Sequence, residues 1–156
     1  VSRAKAGETL LELRAVGTPD VGAAPGLKAV TLGLRAGQIT GLAGVSGNGQ
    51  AALADVVGGQ VVPEHGELVL NGVSLRSWSP RTAVQSGIAR IPEDRHKIGT
   101  IADFDLTENA ILERYNTSAF SARGWMNWGR ARGFAEGIIA KYDVRCPGPE
   151  AAIRLL

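Results

Sequence analysis

The segment Gln38–Gly59, QITGLAGVSGNGQAALADVVGG, constrains the fold more than any other stretch of this chain. Gln38 to Gly44 is a short, mostly apolar run with β-branched Ile39 and Thr40, and it reads as a buried strand. Glycines follow at 44, 47 and 49. The apolar period then changes: Leu53, Val56 and Val57 fall at i, i+3 and i+4, one face of a helix, and Gly58-Gly59 supplies a stop. Strand, glycine loop, helix is the order an anion cradle needs. Residues without a Cβ let backbone N–H groups converge, and the helix adds its positive N-terminal end.

The phosphate-loop template G-x-x-x-x-G-K-[ST] is met at its glycines, Gly44 and Gly49, but Gln50 stands in the lysine position and Ala51 in the hydroxyl position. The lysine ordinarily reaches the β- and γ-phosphates and the hydroxyl ligates Mg²⁺. Gln50 has no charge and Ala51 no oxygen, so the backbone part of the cradle survives without its two chemically active side chains. A plain strand-to-helix turn would use the same glycines for geometry alone. Gly47 to Ala52 also satisfies G-x-G-x-x-[GA], the dinucleotide fingerprint, which requires an acid at the C-terminal end of the next parallel strand. Glu67 sits before its strand instead, and that strand turns back through Asn71-Gly72.

Around this centre, Leu11, Leu13 and Ala15 alternate with polar residues, as do Val30, Leu32 and Leu34, and both runs predict half-buried strands. GTPDVGAAPG between them predicts a surface loop. Asn71-Gly72 between apolar runs predicts a hairpin. Ser79-Pro80 predicts an N-cap with proline at the first helical position, and Gly87 the end of that helix. IARIP, Ile88 to Pro92, reads as a short strand leaving into a charged loop. Thr107 is expected to cap a helix running through ENAILERY, and Phe134, Ile138 and Tyr142 to share one face of a later helix. Trp125 and Trp128 are read as packing residues, with a protein-docking surface as their role if exposed.

Composition excludes several classes. The 156 residues, 44% hydrophobic and 21% charged with mean hydropathy +0.02, suit a soluble globular chain of about one domain. A net charge of +2 is a small surplus, so nucleic acid is not an expected partner. The single cysteine, Cys146, forms no internal disulfide, and neither histidine lies near it in a metal-ligand spacing; no metal site is expected. A reducing, cytoplasmic setting fits.

Taken together, LRAGQITGLAGVSGNGQ, GIARIPEDR and DLTENAIL resemble the ATP-binding subunits of ABC transporters, in particular the second cassette of double-cassette importers for simple sugars and nucleosides. The resemblance implies an α/β fold: a P-loop NTPase-like cassette with an antiparallel β portion over residues 1–100 and the start of a helical subdomain over 101–156. It implies that Gly44, Val45, Ser46, Gly47, Asn48, Gly49, Gln50, Ala51 and Ala52 contact nucleotide, with Gln50 as a neutral donor, and that Glu93, Asp94 and Arg95 form a coupling segment where ordinary cassettes have their glutamine loop. EAAIRLL would run into the family signature, with Leu156 as its leucine, so the chain reads as a truncated cassette. Without signature, Walker B acid, catalytic glutamate or switch histidine, no catalytic residue is expected and the chain alone should be inactive. ATP and Mg²⁺ should bind weakly. The implied partners are the other cassette and membrane permease subunits, at the cytoplasmic face of the membrane, and self-association of the fragment is expected.

Overall fold

The computed structural model describes residues 5–45 and 47–155. They form two compact units, Val1–Arg90 and Ile91–Leu156. The first holds a four-stranded antiparallel sheet in the order β2-β1-β3-β4, built from β1 (Thr9–Gly17), β2 (Val30–Arg35), β3 (His65–Leu70) and β4 (Val73–Ser74). Leu11 and Leu13 point into the core as the alternation predicts. At Ala15 the pattern breaks: φ is +49° there, the register shifts against both neighbours, and Val16 rather than Ala15 becomes fully buried. A bulge adds one residue and so reverses which side chains face inward beyond it. Gly66 fits against this bulge, with φ +84° and the Arg14 and Ala15 carbonyls so close that a Cβ has no room.

The hairpin turns at Asn71 and Gly72, with φ +48° and +78°, the positive values of a tight primed turn. Helix α1 (Gln50–Val57) packs Val56 against Leu11, Leu13, Val16 and Leu68. Helix α2 (Pro80–Gln85) starts as expected, with Ser79 Oγ accepting from Thr82 N at 3.2 Å. Buried Trp78, just before α2, donates its indole N–H to the Val56 carbonyl at 2.6 Å, so a large apolar ring shares with Gly59 N–H (3.1 Å) a carbonyl at the end of α1.

Two expected strands are absent. Gln38–Gly44 and Ile88–Pro92 have no regular structure, and Ile39 is 98% exposed. A strand exists only when a neighbour satisfies its N–H and C=O groups, and β1 to β4 pair among themselves. An apolar run shows that a segment can be buried between strands; it does not supply them. Ile88 still packs on the first core.

In the second unit, α3 (Leu106–Ile111) packs on α4 (Trp128–Tyr142), with Ile111, Phe120 and Ala131 buried and the Phe120 and Phe134 rings 5.2 Å apart. The cap of α3 is Asp105, not Thr107. Asp105 Oδ1 accepts from Glu108 N at 2.7 Å while Glu108 Oε2 accepts from Asp105 N at 3.0 Å, a reciprocal capping box. Thr107 lies inside the helix, buried, with its hydroxyl donating to the Pro149 carbonyl at 3.1 Å. The helix also stops at Ile111, before Tyr115. On α4, Ala131 and Ala135 are buried and Phe134 and Ile138 half-buried, but Tyr142 is exposed at the helix end, before Asp143 turns left-handed at φ +52°.

Candidate nucleotide-binding site

The glycine loop is where the sequence places it, between the end of β2 and α1. Gly47 and Gly49 have φ +87° and +91°, values that only glycine adopts without strain, and Gly49 is the N-cap of α1 with no side chain capping it. The first turn of the helix contains no acidic residue. Its leading N–H groups, those of Gln50, Ala51 and Ala52, find no intrahelical acceptor, while Leu53 N closes the first turn on Gly49 O at 2.9 Å. Gly44, Val45, Gly47, Asn48 and Ala51 are exposed and Gly49, Gln50 and Ala52 half-buried. Ser46 lies outside the described residues, as does Leu156.

Gln50 does not project outward. Its Nε2 donates to the Val45 carbonyl at 2.9 Å and its Oε1 accepts from Asn48 N–H at 3.0 Å. The amide rests against Gly44, where a Cβ would stand 2.5 Å from Nε2. Gln50 is expected as a neutral donor to nucleotide; in this structure both ends of its amide are bonded to the loop itself. No feature of the sequence signalled this contact.

Beside the loop, the Thr18–Pro25 segment is folded by its own polar contacts. Asp20 Oδ1 accepts from Gly26 N at 2.7 Å and Thr18 Oγ1 from Leu27 N at 2.9 Å. It bounds a shallow apolar cavity of about 140 Å³ with Gly47, Gly49 and Ala52, next to Pro19 and Val21. Asp55 of α1, which also lines this cavity, pairs with Arg90 at 2.8 Å, an ion pair across distant sequence that fixes the chain leaving α2. Among the described residues no group of three metal-ligating side chains occurs, and Ala51 offers no oxygen where an Mg²⁺ ligand would stand.

The dinucleotide geometry does not form. The strand after α1 runs antiparallel to β1, and Glu67 is engaged by Arg14 at 3.2 Å. In the second unit, Glu93, Asp94 and Arg95 lie in an exposed turn closed by Lys97 N donating to Asp94 Oδ1 at 2.9 Å and by Gly99 N donating to Arg95 O at 3.0 Å. Trp125 and Trp128 are not packing residues: they are 83% and 54% exposed. In the short hairpin Ser121–Ala122 and Trp125–Met126, Met126 turns into the core and Trp125 outward, opposite small Ala122.

An ATP-binding cassette is the class that this fold and loop define, and comparison with known proteins agrees: residues 27–142 match the ABC transporter family, to which the chain belongs. It is 35% identical over 153 residues to the guanosine import ATP-binding protein of Bacillus subtilis, covering 98% of this chain and 30% of that protein. It is 36% identical over 143 residues to the glucose import ATP-binding protein of Haloferax volcanii, covering 92% of this chain and 26% of the relative. A ribose import ATP-binding protein of Rubrobacter xylanophilus is 34% identical, over 99% of this chain and 30% of its own length. The chain thus spans less than a third of these relatives. Its fold matches a solved dimeric ATP-binding cassette bound to ADP and phosphate with a TM-score of 0.68 and 17% identity, over 94% of this chain and 63% of that one. No helix among the described residues is long and apolar enough to cross a membrane.

Proposed function

We propose that this chain is part of the second cassette of a double-cassette importer ATPase for a simple sugar or a nucleoside, and that the loop from Gly44 to Ala52 shapes a degenerate, regulatory nucleotide site. The observation that carries this is the loop itself: glycines with left-handed backbone deliver Gln50, Ala51 and Ala52 N–H groups at the start of α1, while the cationic and Mg²⁺-ligating side chains are replaced. These backbone donors suit phosphate oxygens. The residues present do not suit Mg²⁺, so metal-bound nucleotide is held weakly and phosphoryl transfer, which depends on positioned cations and an oriented water, is not supported by this chain. Relatives named for guanosine, glucose and ribose import support the solute class. The parent subunit would sit at the cytoplasmic face of the membrane with a second cassette and permease subunits. Glu93 to Arg95 would couple nucleotide state to the permease, and exposed Trp125 and Trp128 would add to the docking surface.

Calorimetry tests the reading. Mg-ATP binds weakly, and Gln50→Lys with Ala51→Ser tightens binding roughly ten- to a hundred-fold, the gain of a charge-assisted bond of about 1.5–3 kcal/mol over a neutral one. Phosphate release by the unmodified chain stays at the buffer blank. Unchanged affinity in the double variant would mean that the loop does not touch phosphate.

A further inference from the structure

We infer that Gln50 is a plug rather than a ligand: its amide is the loop's own occupant, and nucleotide phosphate binds only after it is displaced. The inference rests on the phosphate-site reading above and adds to it the residue that limits affinity. The reasoning starts from the hydrogen-bonding inventory of an amide. A glutamine can donate through Nε2 and accept through Oε1, and here both are used within the loop: Nε2 donates to Val45 O at 2.9 Å, and Oε1 accepts from Asn48 N–H at 3.0 Å. Asn48 N–H is a donor that a phosphate oxygen would otherwise take, so an oxygen of the chain already stands where an anion's oxygen would go. A lysine at this position has no acceptor atom and could not hold the Asn48 N–H in this way. The substitution therefore does more than remove a charge.

The fit against Gly44 makes the arrangement specific. The amide occupies the space that any Cβ at residue 44 would need, 2.5 Å from the nitrogen and 3.6 Å from the carbonyl carbon. Gly44 thus has two consequences: it opens the loop, and it leaves room for the side chain six residues later to close it. Because the plug is neutral and half-exposed, it is reversible, and a ligand must break both of its bonds before its own can form.

The plug and donor roles predict opposite signs. Truncation by Gln50→Ala frees Asn48 N–H and is expected to tighten ATP binding roughly three- to tenfold, measured by calorimetry without Mg²⁺. Amide hydrogen exchange gives a second readout that needs no ligand: in Gln50→Ala the Asn48 N–H should exchange faster than in the parent, while Leu53 N–H, closed on Gly49 O, should not change. Weaker binding by Gln50→Ala, alongside tighter binding by Gln50→Lys with Ala51→Ser, would overturn the plug and keep the phosphate site. Failure of every variant to bind ATP would overturn both. Unchanged Asn48 exchange in Gln50→Ala would overturn the plug whatever the affinities.

Discussion

Arg14 lies between two glutamates on the solvent side of the sheet, with Nη2 2.8 Å from Glu12 Oε2 and Nη1 3.2 Å from Glu67 Oε2. The hydrogen bond from Arg14 holds the Glu12 carboxyl below its ordinary range; for Glu67 the Ser74 hydroxyl is the larger cause and Arg14 the smaller. A depressed folded pKa means stability that is complete above the unfolded value and lost as pH falls through the folded one. The melting temperature should therefore be flat above the ordinary glutamate range, about pH 4.3, and decline below it. Because Arg14 is exposed and both glutamates reach solvent, the effect is small, and Arg14→Ala should remove only part of the acid slope. An identical acid slope in Arg14→Ala would show that this triad contributes nothing. At this scale the sequence was legible where one residue dictates a backbone state, as at Asn71-Gly72 and Ser79-Pro80. It was illegible where two distant side chains choose each other, as in Asp55 with Arg90, or where a side chain folds back, as Gln50 does.

Elements follow the same division. β1, β2, the hairpin, α1 and α2 were readable because period and punctuation act locally. The start of α3 was misread by two residues, since both Asp105 and Thr107 are competent caps; what decided between them was Glu108, which reaches back to the N–H of Asp105 and completes a box that Thr107 cannot. The same segment is tied down by Asn109, whose Oδ1 accepts from Ile101 N at 2.9 Å while Nδ2 donates to the Ile101 carbonyl at 3.0 Å. Asp105→Ala should cost about 1 kcal/mol of unfolding free energy in denaturant titration, the usual value of an N-cap. Thr107→Ser should cost less than Thr107→Val, because serine keeps the hydroxyl that the buried residue 107 directs at the Pro149 carbonyl, while the Thr107 backbone N–H bonds that carbonyl at 3.0 Å in either variant. A larger loss in Thr107→Ser than in Thr107→Val would show that packing of the methyl, not the hydroxyl, holds residue 107.

For the whole molecule, the segment from Gln38 to Val45 raises the remaining question of what covers it. It joins no sheet among the described residues, yet Ile39, Leu42 and Val45 carry apolar side chains that are 98%, 60% and 75% exposed. Backbone outside any sheet and exposed apolar side chains both favour association, the first by offering N–H and C=O groups for pairing and the second by the area it removes from water. We expect the chain to self-associate through this segment. Light scattering after size exclusion across a concentration series should show mass rising above the monomer, and Ile39→Lys with Leu42→Lys should return it to the monomer without lowering the melting temperature, because neither side chain belongs to the first core. Hydrogen exchange would then show amides 39 to 44 protected only at the concentrations where the larger species forms. A chain that stays monomeric at high concentration, with a sharp cooperative melt and fast exchange throughout this segment, would mean that the exposed run needs no cover and that its apolar pattern serves only the approach of the glycine loop to α1.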